Sequence, residues 1–155
     1  MNICIREFCE ADLKQLAVLE NELFSAPWSE AMLLESCQKG YSWVMETETG
    51  EIIGYLIGEL VLDEFSLYNL AISESRQNHG FGFRFLTFLK EKMRQLACRK
   101  IFLEVRSRNQ SAISLYRKSG FQPLYLRRNY YSQPVDDALT MVYELKQEGN
   151  TDEKL

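Results

Sequence analysis

Apolar residues recur at helical spacing in four stretches of this 155-residue chain. The first covers residues 10–24, where Leu16, Leu19 and Leu23 fall on one face of a helix. The other three run from Pro27-Trp28-Ser29 to Gly40, from the end of segment 77–82 to about Cys98, and from Asn109 to Gly120. Because Asn109 is a favoured N-cap residue and Gly120 a natural helix stop, the last helix has predicted ends as well as a predicted face.

Strand-like patterns fill the rest of the chain. They cover residues 3–5, 41–46, 52–62, 65–72, 101–105, 121–131 and 138–145. The four-residue polar link at 47–50 suits an antiparallel hairpin between the second and third strands. The resulting order is β, α, α, β, β, β, α, β, α, β, β. An antiparallel meander followed by strand–helix–strand units predicts an α/β (α+β) fold, in which helices cover a mixed sheet.

Composition and charge limit the number of domains and the classes of partner. The chain is 46% hydrophobic and 26% charged, an ordinary globular composition. One domain is expected over residues 1–146, followed by a polar tail at 147–155 that we expect to be disordered. The net charge of −4 argues against a nucleic-acid partner, and no apolar stretch approaches the length of a membrane span. We expect a monomer or a weak oligomer.

The cysteine and histidine content bears on metal binding and on the cellular compartment. The four cysteines form no CxxC pair and the chain has one histidine, so we predict no metal site. Scattered thiols suit a reducing compartment, and the first residues carry no long apolar run. A cytoplasmic location is therefore expected.

The first candidate motif is Gln77-x-x-Gly80-x-Gly82, between a strand and the long helix. Two glycines let the backbone approach a ligand closely, and the unpaired amides at a helix start attract phosphate. This arrangement suits a pyrophosphate. A plain glycine-rich turn explains the same residues equally well, whereas a Rossmann site fits less well because the full GxGxxG is missing.

The second candidate is Glu104, inside the apolar strand Leu103-Glu104-Val105-Arg106 and on the face of Phe102. Partial desolvation there would make its carboxylate a stronger base near neutral pH. The alternative is a solvated residue near a strand end, or an ion-pair partner of Arg106. Spacing alone favours this alternative.

The third candidate is Tyr116, which shares the apolar face of its helix with Ala112. A core tyrosine is the simpler interpretation. Its hydroxyl would still need a partner when buried, which leaves room for a role as proton donor.

Taken together, these motifs resemble the GNAT superfamily of N-acetyltransferases. The nearer resemblance is to the RimI family of N-terminal alanine acetyltransferases, which act on a ribosomal protein. It covers roughly residues 1–145 and rests on four segments. These are Pro27-Trp28-Ser29; residues 61–64 with 68–72; residues 103–116; and Arg127-Arg128-Asn129-Tyr130-Tyr131. The last is typical of the RimI family rather than of GNAT proteins at large.

This resemblance implies a GNAT fold: a mixed, mostly antiparallel seven-stranded sheet flanked by about four helices. It also implies binding of acetyl-CoA as co-substrate, without a metal. The cofactor-binding residues would be Leu70, Ala71, Ile72, Asn78, His79, Gly80, Phe81, Gly82, Phe83 and Asn109. The family commonly places Arg or Lys in this phosphate loop, whereas here Asn78, His79 and Phe83 stand there.

The resemblance implies catalytic roles as well: Glu104 as general base and Tyr116 as general acid. The expected acceptor is the N-terminal α-amine, an alanine, of a small-subunit ribosomal protein. Trp28, Tyr130 and Tyr131 would meet this acceptor, although Trp28 is equally well explained as a core or loop-anchoring aromatic. For at least one of Arg127 and Arg128, a solvated strand face is the favoured interpretation.

Two alternatives remain open. The same scaffold could acetylate a small-molecule amine or lysine side chains. A non-catalytic CoA-binding module is the other alternative, and the presence of both Glu104 and Tyr116 argues against it.

Overall fold

The computed structural model describes residues 2–146, so the predicted tail at 147–155 lies outside the described residues. The strands are β1 Ile3–Glu7, β2 Tyr41–Thr47, β3 Ile52–Val61, β4 Glu64–Ile72, β5 Lys100–Arg106, β6 Gln122–Ser132 and β7 Val135–Glu144. The helices are α1 Leu13–Leu23, α2 Glu30–Lys39, α3 Phe81–Gln95 and α4 Gln110–Lys118. The seven strands form a mostly antiparallel sheet in the order β1-β2-β3-β4-β5-β7-β6, which confirms the predicted fold class.

The end of α3 differs from the prediction. The apolar stripe extends to about Cys98, but the helix ends at Gln95. Ala97 adopts a φ of 58°, and its amide donates to the Arg94 carbonyl at 3.1 Å. The Cys98 amide donates to the Met93 carbonyl at 2.9 Å. These two bonds form a Schellman motif, which turns the chain out of the helix before the apolar pattern ends.

The described residues fall into two compact units. The first comprises the chain up to Glu59 together with Leu67–Phe85, and the second comprises Leu60–Ser66 and the chain from Leu86 onward. A single domain over residues 1–146 stays a prediction.

The first unit has an apolar core formed by α1, α2 and strands β2 to β4. Its buried members include Leu16, Leu19, Leu33, Val44, Tyr55, Ile57 and Ala71. β2 pairs antiparallel with both β1 and β3. The stripe that predicted α1 is therefore the face that packs into this core.

An ionic cluster at the edge of this unit joins β1, β2 and the turn before α1. The Arg6 guanidinium donates to both carboxylate oxygens of Asp12 at 2.9 Å, and it also pairs with Glu46 at 2.9 Å. Asp12 is 4% exposed. Burial by itself raises the pKa of Asp12, but hydrogen bonds from Arg6 and Cys9 outweigh it, so the pKa of Asp12 lies below its ordinary value.

The second unit contains an antiparallel trio of strands in which β7 lies between β5 and β6. On β5, Ile101, Leu103 and Val105 are buried, so the alternation predicted for this strand is confirmed. Lys90 of α3 donates to the Ser119 carbonyl at 2.7 Å, beyond the end of α4. Gly120 follows with a φ of 93°, which explains why a glycine ends this helix.

Between residues 2 and 146, no helix is both long and apolar enough to cross a membrane. Within the same range, no group of three or more His, Cys, Asp or Glu side chains is placed to hold a metal ion.

Candidate functional site

The turn predicted to hold a pyrophosphate is tied to the end of β4. Gln77 Nε2 donates to the Ile72 carbonyl at 2.9 Å, and the Ser73 amide donates to the Ile53 carbonyl at 2.8 Å. The glutamine of the motif therefore fixes the turn to the strand that precedes it. This local contact holds the predicted phosphate loop beside the strand predicted to hold the rest of the cofactor.

The glycine-rich turn opens α3 as predicted, although the helix begins at Phe81. Asn78 and Gly80 both have positive φ, 63° and 84°, and a Cβ placed on Gly80 would meet nothing within 4 Å. In the first turn of α3, the amides of Phe81 and Gly82 have no acceptor within the helix. Open space, a glycine backbone and helix-start amides together fit a pyrophosphate.

His79 is exposed on this turn. Its Nδ1 lies 2.8 Å from the Gln77 carbonyl oxygen and 3.2 Å from that of Arg76. Because carbonyl oxygens only accept hydrogen bonds, Nδ1 carries the proton and donates. The ring is thus held by its own loop.

The end of β4 packs closely on β3. Leu70 is half-buried, whereas Ala71 and Ile72 are 3% and 9% exposed. A Cβ on Gly54 would lie 2.7 Å from the Ala71 carbonyl oxygen and 2.8 Å from Ile72 Cδ1. Glycine at position 54 therefore permits this approach and sets the position of the predicted cofactor strand.

In the second unit, Glu104 is an exposed residue on the face of β5 opposite its buried residues, and its side chain is 31% exposed. Its carboxylate is therefore partly open to solvent, and the role of general base stays a prediction. Its ion-pair partner is not Arg106 but Arg127 of β6, whose Nε lies 3.2 Å from Glu104 Oε2. The strand register explains this contact: Glu104 lies opposite Thr140 of β7, and Thr140 lies opposite Tyr125 of β6.

Aromatic rings surround the Arg127 guanidinium. Its Cζ lies 5.4 Å from the Tyr130 ring centre and 5.7 Å from that of Tyr125. The Tyr130 and Tyr131 rings meet edge to face at 5.2 Å. Arg106 Cζ lies 4.3 Å from the Tyr131 ring centre. Arg127 lies on an exposed strand face, as expected for at least one of the two arginines, and it is also the cation that pairs with Glu104.

Tyr116 is 9% exposed, and its ring packs edge to face on Phe121 at 5.8 Å. The core position predicted from the helical stripe is confirmed. Its hydroxyl makes no hydrogen bond to another residue in the described part of the chain, 2–146. Burial, and to a smaller extent Tyr131, raise the pKa of Tyr116, so its hydroxyl keeps its proton throughout the neutral range.

Tyr131 connects the two predicted catalytic residues. Burial raises the pKa of Tyr131, and the negative charge of Glu104 raises it further. Tyr131 in turn contributes to the raised pKa of Tyr116. Glu104, Tyr131 and Tyr116 all belong to the second unit, and the Tyr130 ring packs edge to face on that of Tyr131.

Asn109 begins α4 as predicted, with its Oδ1 accepting from the Ala112 amide at 3.1 Å. The cap uses the side-chain oxygen of Asn109, which is an exposed residue. A contact of this residue with the cofactor stays a prediction.

Trp28 is half-buried and packs against the apolar core of the first unit. Its amide donates to Glu20 Oε2 at 2.9 Å. Sequence reasoning missed Glu20, which is 2% exposed. The signal was present, because Glu20 follows Leu16 by four residues on the buried stripe of α1, a position where an acid needs an explanation.

Comparison with known proteins agrees with these features. The model of the acetyltransferase (GNAT) family matches residues 13–121. The ribosomal protein bS18-alanine N-acetyltransferase of Haemophilus ducreyi is 33% identical over 130 residues, covering 84% of this chain and 90% of that protein. The protein of the same name in Escherichia coli K12 is 32% identical over 132 residues, covering 84% and 89%. The family resemblance inferred from the sequence is confirmed.

Solved structures agree in fold. The ribosomal-protein-S18-alanine N-acetyltransferase from Escherichia coli superposes with a TM-score of 0.89 at 28% identity, covering 96% of this chain and 97% of that one. Arabidopsis thaliana NAA60 in complex with acetyl-CoA superposes with a TM-score of 0.83 at 18% identity, covering 93% and 100%. The second similarity is one of fold alone.

Proposed function

The chain belongs to the GNAT family of acetyltransferases and is an acetyl-CoA-dependent N-acetyltransferase, and from that premise we propose that it acetylates the N-terminal α-amine of ribosomal protein bS18, an alanine. The similarity to bS18-alanine N-acetyltransferases along 84% of this chain supports the choice of acceptor. The observation that supports the mechanism is the contrast within the second unit between Glu104, which is partly exposed and paired with Arg127, and Tyr116, which is buried against Phe121.

Acetyl-CoA would be held by two features of the first unit. The amides at the start of α3, with Asn78, His79, Gly80 and Phe83 around them, would take the pyrophosphate. The strand at Leu70, Ala71 and Ile72 would take the pantetheine through its backbone groups.

Glu104 would act on the acceptor amine. A free α-amine has a pKa of about 7.7–8.0, so much of it carries a proton near neutral pH. The exposed Glu104 carboxylate can accept that proton, directly or through water. The Arg127 guanidinium pairs with the carboxylate at 3.2 Å and orients it while the amine is absent. The freed nitrogen then attacks the thioester carbonyl, which forms the N–C bond.

Tyr116 would act on the leaving group. When the C–S bond breaks, the sulfur of CoA takes up negative charge, and the Tyr116 hydroxyl can donate its proton to it. The hydroxyl is suited to this because burial keeps it protonated and no described residue accepts its hydrogen bond. As the C–S bond breaks, the nitrogen loses its second proton, which restores the Tyr116 hydroxyl directly or through water, and Glu104 releases the first proton to solvent. The net products are the acetylated amine, CoA with a free thiol and one proton.

The residues proposed to meet the acceptor peptide are aromatic: Trp28, Tyr130 and Tyr131. Trp28 also packs on the core, so the anchoring role considered from the sequence and an acceptor-facing role are compatible.

The test is release of free CoA with three amines: an alanine-initiated peptide with the bS18 N-terminal sequence, an N-acetyl-blocked copy that contains lysine, and a free polyamine. The proposal predicts turnover with the first peptide alone. Turnover with the blocked copy or the polyamine would move the function to lysine or small-molecule acetylation. Binding of acetyl-CoA without turnover of any amine would instead favour a non-catalytic module.

A further inference from the structure

A buried carboxylate connects the Trp28 loop to the sheet in the first unit. Glu20 Oε2 accepts the Trp28 amide at 2.9 Å. Glu20 Oε1 accepts the Tyr55 hydroxyl of β3 and, at 3.0 Å, the Asn69 side-chain amide of β4. The two oxygens therefore face different parts of the fold: one the loop and the other the strands.

Burying an acid in an apolar core costs free energy, so the position of Glu20 needs a structural or functional explanation. Glu20 is 2% exposed and Tyr55 is 0% exposed. Among residues 2–146, no Lys or Arg forms an ion pair with Glu20. Its three donors are all neutral groups, so hydrogen bonds alone offset the desolvation of the carboxylate. An apolar residue on this stripe would fill the core without that cost, as Leu16 and Leu19 do.

The identity of the donors indicates what the carboxylate holds. The Trp28 amide precedes Ser29, whose Oγ accepts from the Met32 amide at 3.2 Å and so begins α2. Asn69 precedes the residues of β4 predicted to lie along the cofactor. One side chain thus sets the backbone of the predicted acceptor loop against the predicted cofactor strand.

We propose that Glu20 is a positioning residue that clamps the Trp28 loop to β3 and β4 and thereby sets the affinity for the acceptor peptide. This inference rests on the proposed function, because it takes the Trp28 loop as an acceptor contact. Glu20 is too deeply buried to touch the peptide, so it acts through the backbone of Trp28.

The experiment compares two variants that each replace a buried carboxylate of the first unit with an apolar side chain. Glu20→Met removes every acceptor of the clamp, whereas Asp12→Leu removes the partner of Arg6 and leaves the clamp intact. For Glu20→Met, the KM for the alanine-initiated peptide is expected to rise roughly tenfold, the effect of losing a buried hydrogen bond. Its KM for acetyl-CoA should stay within about twofold. For Asp12→Leu, both constants should stay near those of the parent chain while stability falls.

Fluorescence reports on the loop independently of turnover. In a Trp43→Phe background, Trp28 is the remaining tryptophan, since the chain has two. Glu20→Met is expected to increase acrylamide quenching of Trp28, and Asp12→Leu is expected to leave it unchanged. If the parent chain acetylates no peptide, the proposed function fails, but this readout still decides whether Glu20 holds the loop.

Unchanged quenching in Glu20→Met overturns the clamp. The role of Glu20 in acceptor binding is overturned if the KM for the peptide and the KM for acetyl-CoA rise together in Glu20→Met, and by no more than they do in Asp12→Leu. If either apolar variant fails to fold, Glu20→Gln and Asp12→Asn carry the same comparison. Glu20→Gln replaces one of the two acceptor oxygens with a donor. We therefore expect a smaller rise in the KM for the peptide and a smaller increase in the quenching of Trp28 than in Glu20→Met.

Discussion

Two side chains of contrasting environment carry the proposed chemistry at the residue scale. Glu104 is exposed and paired with Arg127, whereas Tyr116 is buried and without a hydrogen-bond partner among residues 2–146. A carboxylate that solvent can reach can take a proton from an incoming ammonium, and a buried neutral hydroxyl can give one to a thiolate. The environments therefore separate the two roles.

Glu104→Gln tests the base. Loss of the carboxylate should lower kcat about 10²–10⁴-fold, the usual contribution of a positioned general base. Acetyl-CoA binding should be unchanged, and because the pair with Arg127 is at the surface, the unfolding free energy should change by less than about 1 kcal/mol. Steady-state kinetics with isothermal titration and urea unfolding measure the three quantities. A kcat within twofold of the parent value would remove Glu104 from the mechanism.

Tyr116→Phe tests the acid. The phenyl ring keeps its packing on Phe121, so stability should change little, while kcat should fall by at least about tenfold. Tyr143→Phe is the matched control, because the Tyr143 ring also contacts Phe121, at 5.6 Å. Equal activity of the two variants would contradict the role of the Tyr116 hydroxyl.

At the scale of helices and strands, contacts between neighbouring strands position the predicted cofactor site. Gly54 of β3 leaves room for the Ala71 carbonyl of β4, and Gln77 ties the following turn to the end of that strand. The strand and turn predicted to hold acetyl-CoA are therefore placed by small, local contacts within the first unit.

Gly54→Ala should disturb this placement. The added Cβ would lie 2.7 Å from the Ala71 carbonyl oxygen, so β3 or β4 must move. We expect a loss of roughly 1–3 kcal/mol of unfolding free energy and a higher KM for acetyl-CoA. Gly40→Ala also clashes, with the Gly58 carbonyl at 2.0 Å, but on the β2 side of β3. It should lose stability without the specific rise in acetyl-CoA KM, and an equal rise in both variants would argue against a β4 site.

Asp12 links β1, β2 and the turn before α1 through Arg6, and this cluster predicts a pH dependence of stability. The pKa of Asp12 is lower in the folded chain than its ordinary value. Its contribution is therefore present above the unfolded pKa of about 3.9 and is lost as the pH falls through the lower folded pKa. Urea unfolding from pH 7 to pH 2 should show a loss of stability below about pH 4 that is smaller in Asp12→Asn. Parallel curves for the two proteins would contradict this assignment.

Local patterns in the sequence predicted the elements but not the contacts between distant ones. The stripe of α1, the Asn109 cap and the Gly120 stop depend on residues close together in the chain, and all three were correct. The Glu104–Arg127 pair depends on β7 lying between β5 and β6, which no local pattern specifies. The Glu20 clamp likewise depends on Tyr55 and Asn69, which lie 35 and 49 positions after Glu20 in the chain.

At the scale of the whole molecule, family membership and site geometry support the same account. Along most of its length the chain is similar to N-terminal alanine acetyltransferases, and its second unit contains the Arg127-paired Glu104, the buried Tyr116 and the packed rings of Tyr130 and Tyr131. The central claim is that the acetyl group goes to an α-amine rather than to a side chain.

Tandem mass spectrometry of the proposed acceptor protein, after incubation with the enzyme and acetyl-CoA, tests this claim most directly. The account predicts one added acetyl group, located on the N-terminal alanine, and in the same time about 10²–10⁴-fold less of it when Glu104→Gln replaces the parent enzyme. Acetyl groups on lysine side chains, with the N-terminus left free, would contradict it.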